Sequence, residues 1–220
     1  MRRMVLLLVP LAVGWMPMTA SAGHWSISVQ GGAVVPTGDF ADKSKADAQL
    51  GWQIGGSYDY HWTDIWTFGL DGGLNQNAHG AEGTVFDLGN GDTRSLDEDR
   101  FTTWQFGAHT RYTFPTTATP MRWHAQAGGS FYGLTENYTE TMTLGGVTST
   151  RSGSLTDKRA GLKFGLGGTW WTNPQVGIQA GLDYNIAFFD KDQTESTISY
   201  AGVHAGLIFK IPDTASLPTP

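Results

Sequence analysis

Eight stretches of the sequence alternate apolar and polar residues with a period of two, each over at least nine positions. A β-strand is the regular element that sends successive side chains to opposite faces, so the chain is committed to long strands. His24 to Pro36 sets Trp25, Ile27, Val29, Ala33 and Val35 against Ser26, Ser28, Gln30 and Gly32. Gln49 to Trp62 sets Leu50, Trp52, Ile54, Tyr58, Tyr60 and Trp62 against Gly51, Gln53, Gly55, Ser57, Asp59 and His61. The same rule runs through Trp66 to Leu74, Phe101 to Phe114, Met121 to Leu134, Arg159 to Trp171, Gln175 to Phe188 and Ile198 to Ile211. About 9 to 11 residues suffice to cross a bilayer as a tilted strand.

The connections alternate too. Strands two and three, four and five, and six and seven are joined by short links: Thr63 to Ile65, Pro115 to Pro120, and Thr172 to Pro174. The other four links, 37–48, 76–100, 135–158 and 189–197, are longer and polar. Short turns at one end and long loops at the other predict an eight-stranded antiparallel up-and-down transmembrane β-barrel, all-β, with turns in the periplasm and loops outside the cell. Two long loops carry hairpin chemistry, Gly89-Asn90-Gly91 and Gly145-Gly146, between strand-prone runs, which predicts that the sheet continues beyond the membrane.

Ahead of the strands, Arg2 and Arg3, the apolar run Met4 to Val13 and the small residues Ala20-Ser21-Ala22 read as a signal peptide over residues 1–22. The barrel is expected over 23–212, with 213–220 a short periplasmic tail. Cleavage takes the formal charge from −6 to −8 by removing Arg2 and Arg3, which argues against nucleic acid as a partner. The chain has no cysteine, so disulfides contribute nothing to its stability. Its mean hydropathy of −0.25 conceals two opposed faces.

Tryptophan collects at the turn end of the strands, at Trp25, Trp62, Trp66, Trp123, Trp170 and Trp171, as an interfacial girdle requires. The apolar face therefore meets lipid. The opposite face carries Asp59, Asp71, Arg111, Arg122, His124, Lys163 and Asp183 among many glycines, as a lumen only wide enough to be filled by side chains demands. A pivot about Asn173 places Lys163 opposite Asp183 as an ion pair; one about Asp64 places Ser57 opposite Asp71; one in the Thr117-Ala118 bond places Arg111 opposite His124. Arg111 and Arg122 are expected to reach Asp59 across the interior, since buried charges without partners cost several kcal/mol each.

The run Gly31-Gly32-Ala33-Val34-Val35-Pro36-Thr37-Gly38-Asp39-Phe40 resembles the GxxxPxGDF start of small outer-membrane barrels, the group that includes OmpA-, OmpX- and OmpW-like proteins. In that group the last strand ends on an aromatic residue read by the insertion machinery. Here Phe209 is followed by Lys210-Ile211 and the tail, so an insertion signal would be internal.

The leading expectation is a non-enzymatic integral protein of the outer membrane of a Gram-negative cell, with a structural or surface-interaction role. Its expected partners are outer-membrane lipid and lipopolysaccharide, the barrel-insertion machinery and an extracellular partner reached through the loops. The alternative is a narrow channel for small solutes or apolar molecules, which resemblance to OmpW-like barrels implies. A lipid-modifying enzyme would need a serine, a histidine and a carboxylate together on the lipid face. Strand histidines His61, His109, His124 and His204 fall on the inner face, and the glutamates, Glu136 and Glu140 among them, fall in loops. No catalytic residue, metal site or cofactor is assigned. The acidic loop residues Asp87, Asp92, Asp97, Glu98 and Asp99 lack the spacing of an EF-hand and read as a solvated loop. Heat-modifiable migration tests the barrel: unheated protein should run ahead of boiled protein on a gel, and one heat-independent band contradicts it.

Overall fold

A computed structural model describes residues 23–42, 48–79, 84–115, 120–188 and 197–212. The expected signal peptide and tail lie outside these residues. The strands are β1 (His24–Thr37), β2 (Ala48–His61), β3 (Trp66–His79), β4 (Thr84–Gly89), β5 (Asp92–Thr113), β6 (Met121–Leu144), β7 (Val147–Trp171), β8 (Val176–Ala187) and β9 (Ile198–Ile211). Eight of them form a closed antiparallel ring. β1 pairs with both β2 and β9, and β3 pairs directly with β5, so no edge is left open around the wall. β4 is an addition outside the ring, paired only with β5.

The two hairpins in the long loops form. Gly89, Asn90 and Gly91 take φ of 86°, 58° and 81°, and Gly145 and Gly146 take 56° and 81°, the positive values that tight hairpin turns require. β5, β6 and β7 consequently run to 22, 24 and 25 residues, against 14 in β1, β2, β3 and β9. Glu136 and Glu140 thus belong to strand β6, where the sequence had suggested loop, because the hairpin extends pairing to the Leu144↔Val147 rung. One face of this extension is a ladder of hydroxyls, Thr135–Thr156, Thr139–Ser152, Thr141–Thr150 and Thr143–Thr148. Asp92 Oδ1 accepts from Gly145 N at 2.7 Å and ties the two hairpin tips together.

Side-chain placement is the reverse of a soluble protein's. Leu50, Phe131, Leu182 and most other large apolar residues stand exposed on the outer wall, while aspartates, asparagines and a lysine are buried within. Trp25, Trp62, Trp66, Trp123 and Trp170 are exposed at the turn end, with Trp25 stacked on Tyr58 and Trp66 set edge-on to Tyr112. Trp171 differs from the expected girdle: it lines the lumen mouth with Lys210 Nζ 4.3 Å above its ring. Its parity is that of Lys163 and Thr169, which also face inward.

At the loop end the lumen is apolar. Val34, Phe40, Ala48, Phe101, Ile198 and Tyr200 form a buried cluster, capped by a 3-10 turn (Gly38–Phe40) that folds Phe40 edge-on to Phe101 at 5.3 Å. Truncating a fully buried aromatic forfeits its transfer free energy and leaves a cavity. Phe40→Ala should therefore lower the unfolding free energy by about 3 to 5 kcal/mol, read as a lower urea midpoint with unchanged steepness. An unchanged midpoint would contradict the plug.

Candidate functional site

Hydrogen-bonded rungs run obliquely around the wall and set which side chains are neighbours along it. One rung carries Asp59, Gly69, His109, Gly128, Lys163, Asn185 and Tyr200 on seven successive strands. The next one carries Thr67, Arg111, Gln126, Gly165, Asp183 and Gly202. Glycine alternates with long polar residues because the lumen holds only one side chain per place. A Cβ on Gly69 would collide with Asp59 Oδ1 and the His109 ring, and one on Gly202 with Asp183 Oδ1 and Gln53 Nε2.

At mid-lumen the ionisable side chains form a continuous chain. Lys163 Nζ donates to Asp71 Oδ2 at 3.0 Å, and Asp71 Oδ1 meets His109 Nδ1 at 3.1 Å. His109 Nε2 stands 3.2 Å from Asp59 Oδ1, a close approach without hydrogen-bond alignment, since neither atom has a well-aligned partner. Asp59 Oδ2 takes the Ser57 hydroxyl at 2.9 Å and lies 3.4 Å from Arg111 Nη1. A second cluster holds Asp183, whose Oδ1 meets His204 Nδ1 at 3.1 Å and whose Oδ2 accepts from Asn185 Nδ2 at 2.9 Å. Among the described residues three contacts cross the bore between strands three or more apart around the ring: Lys163 to Asp71, Gln53 Nε2 to Asp183 Oδ1 at 3.4 Å, and Tyr200 OH to Gln105 Oε1 at 3.2 Å. Partnering is what makes such burial tolerable, because the low dielectric that penalises a lone charge also strengthens a matched one.

Several expected pairings are corrected. Lys163 lies opposite Asn185, and Asp183 opposite Gly165, because the β7–β8 turn centres on Pro174 and not on Asn173. The Asn173 side chain caps that turn, its Oδ1 accepting from Gln175 N and Val176 N. The one-residue shift of centre moves the register by two, so Lys163 spans the lumen to Asp71 instead of pairing with Asp183. Arg111 lies opposite Gln126, with His124 opposite Thr113. Ser57 does lie opposite Asp71. Arg122 is exposed at the turn end and reaches no carboxylate among the described residues, while Arg111 alone meets Asp59.

His109 and His204, both inward by parity, join the network beyond the residues expected of it. The available signal for His109 was its position: glycine stands opposite it on both sides, at Gly69 and Gly128. Ser26 Oγ meets His61 Nε2 at 2.8 Å, but Thr67 Oγ1, a hydroxyl and not a carboxylate, takes Nδ1 at 3.0 Å, and all three face the lumen. That arrangement lacks the charge that orients a catalytic histidine. Among the described residues no group of histidines and carboxylates is placed to hold a metal. Of the acidic loop residues, Asp87 and Asp92 accept backbone N–H groups of the hairpin turns, while the side chains of residues 97–99 lie outside those described.

Below the network the lumen opens at the turn end into a cavity of about 90 Å³ whose lining includes Arg111, Arg122, His124, His61 and Lys210. His61 is stacked on His24 there, rings 4.3 Å apart.

Breaking a buried pair by removing one partner costs about 3 to 5 kcal/mol, whereas removing both costs much less. Lys163→Met and Asp71→Leu should each lower the urea midpoint, and the double variant should fall short of their sum by at least ~1 kcal/mol. Strict additivity would contradict the contact. Gly69→Ala should destabilise by about 1 to 3 kcal/mol through overpacking, and a neutral outcome would show that Asp59 and His109 do not meet there.

The solved structures similar to this chain are small outer-membrane barrels. Neisserial surface protein A superposes with a TM-score of 0.54 at 15% identity, over 87% of this chain and 100% of that one. The outer membrane protein OprG of Pseudomonas aeruginosa gives 0.50 at 15% identity, over 87% and 97%. A major outer membrane protein of Thermus thermophilus gives 0.50 at 14% identity, over 85% and 99%. No curated protein matches the sequence. The model of the outer membrane protein beta-barrel domain matches residues 5–210, and with the closed eight-stranded ring and its inverted placement of polar and apolar residues it establishes that the chain belongs to that family of outer-membrane barrels.

Proposed function

We propose that the chain is a non-enzymatic barrel whose lumen does not conduct and whose working surface is the sheet projecting outside the cell. The observation that supports this reading is the continuation of β6 and β7 through ten paired rungs, Thr135↔Thr156 to Leu144↔Val147, while β8 stops at the Gly161↔Ala187 rung. Ten residues of strand reach on the order of 33 Å. β5 and β4 widen this extension into a sheet, and the Arg94–Glu140 ion pair at 2.6 Å, the hydroxyl ladder and the tied tips stiffen it. A rigid, polar, solvent-exposed platform presents contact area to a partner at low ordering cost.

In this reading outer-membrane lipid and lipopolysaccharide surround the wall, the insertion machinery delivers it, and the partner that matters functionally lies outside the cell. The contacts across the bore argue against the alternative of a narrow channel. Two measurements test the proposal. Purified protein in planar bilayers should give no resolved conductance steps, and reproducible steps would favour the channel. Cells displaying a variant in which residues 137–154 are replaced by a two-residue Asn-Gly turn should keep the heat-modifiable barrel but lose adhesion to matrix-coated beads. Unchanged adhesion above the vector level would remove the sheet from the account.

A further inference from the structure

The cavity at the turn end gathers more positive charge than the fold uses. Arg111, Arg122 and Lys210 line it, with His61 and His124, and Asp64 on the exposed turn is the carboxylate at its rim. Among the described residues neither Arg122 nor Lys210 forms an ion pair. Lys210 is held against the wall by the Trp171 ring. Arg111 is 6% exposed, and its Nε is buried with no hydrogen-bond partner although Nη1 faces Asp59. Two cations without ion-pair partners, set against the one rim carboxylate Asp64, leave the mouth net positive and favour an anion there. The cavity has room for one tetrahedral oxyanion and a few waters.

We propose that this vestibule binds a phosphate-class oxyanion between Arg122 and Lys210, under Arg111. Guanidinium groups offer paired N–H donors to such oxygens, and charge-assisted bonds of this kind are the stronger ones. The bound anion joins β5, β6 and β9 across the mouth and stabilises the folded barrel in proportion to its occupancy. Its source is either a free phosphate group in the periplasm or the phosphate of a lipid headgroup at the rim.

The test uses the full chain folded in maltoside micelles in phosphate-free chloride buffer at fixed ionic strength. In the first arm inorganic phosphate is titrated by calorimetry; in the second, phosphatidylglycerol is mixed into the micelles and the thermal transition is followed. Saturable one-site binding, weakened about tenfold by Arg122→Gln or Lys210→Gln and unaltered by Arg94→Gln at the other end of the molecule, is the expected result. A free source shows this pattern in the first arm, and a headgroup source shows it in the second alone. In the wild type, sulfate should compete with phosphate while chloride at matched ionic strength should not, a check that needs no variant to fold. Absence of any wild-type to variant difference in both arms overturns the site, as does equal suppression by sulfate and chloride, which is unspecific screening.

Discussion

A strand in hydrocarbon has nowhere to send its backbone N–H and C=O groups except to a neighbouring strand, and the remainder of this structure follows from that requirement. Pairing must close, so β1 meets β9 and eight strands make a ring. Once the ring closes, its outer face belongs to lipid and takes the leucines, phenylalanines and indoles, and every polar residue on the alternate positions is forced into a bore too narrow for bulk water. Charge in that bore must be matched there. The chain from Lys163 through Asp71, His109 and Asp59 to Arg111 is the matching, and glycines such as Gly69 give it room.

The two ends of the bore are finished differently. Toward the loops, Phe40 and Phe101 close it with apolar surface and the strands continue upward as a projecting sheet. Toward the turns it opens into a basic vestibule where, among the described residues, neither Arg122 nor Lys210 forms an ion pair. A conduit would be expected to carry polar lining from mouth to mouth. Here the polar lining is spent on contacts across the bore, which turns attention to the surfaces at either end.

Strand positions, facing and the two hairpins were legible because each rests on local chemistry: alternation for the strands, positive-φ residues at Asn90, Gly91, Gly145 and Gly146 for the turns. Ser57 and Asp71 were also placed correctly, because the link around Asp64 is short and symmetric. Register across β7 and β8 was not legible. Asn173 reads as the apex of its turn, yet its side chain serves better as the cap, and one residue of displacement moves Lys163 from Asp183 to a partner across the lumen. The outward assignment of Trp171 failed for a related reason. Residues grouped by their level along the strand need not share a face, and Trp170 and Trp171 are adjacent, so one of them had to point in.

The absence of cysteine allows a direct measurement of whether the bore is filled. A single Ser130→Cys variant puts a near-isosteric thiol on the inward face at mid-lumen, where the serine is 5% exposed, and Thr150→Cys puts one on the projecting sheet. With a charged, water-soluble maleimide applied to the folded barrel, the account predicts rapid modification of Thr150→Cys and none of Ser130→Cys until the barrel is unfolded. Modification of Ser130→Cys at a rate comparable to Thr150→Cys would show that water and solutes reach the middle of the lumen, and would contradict the account.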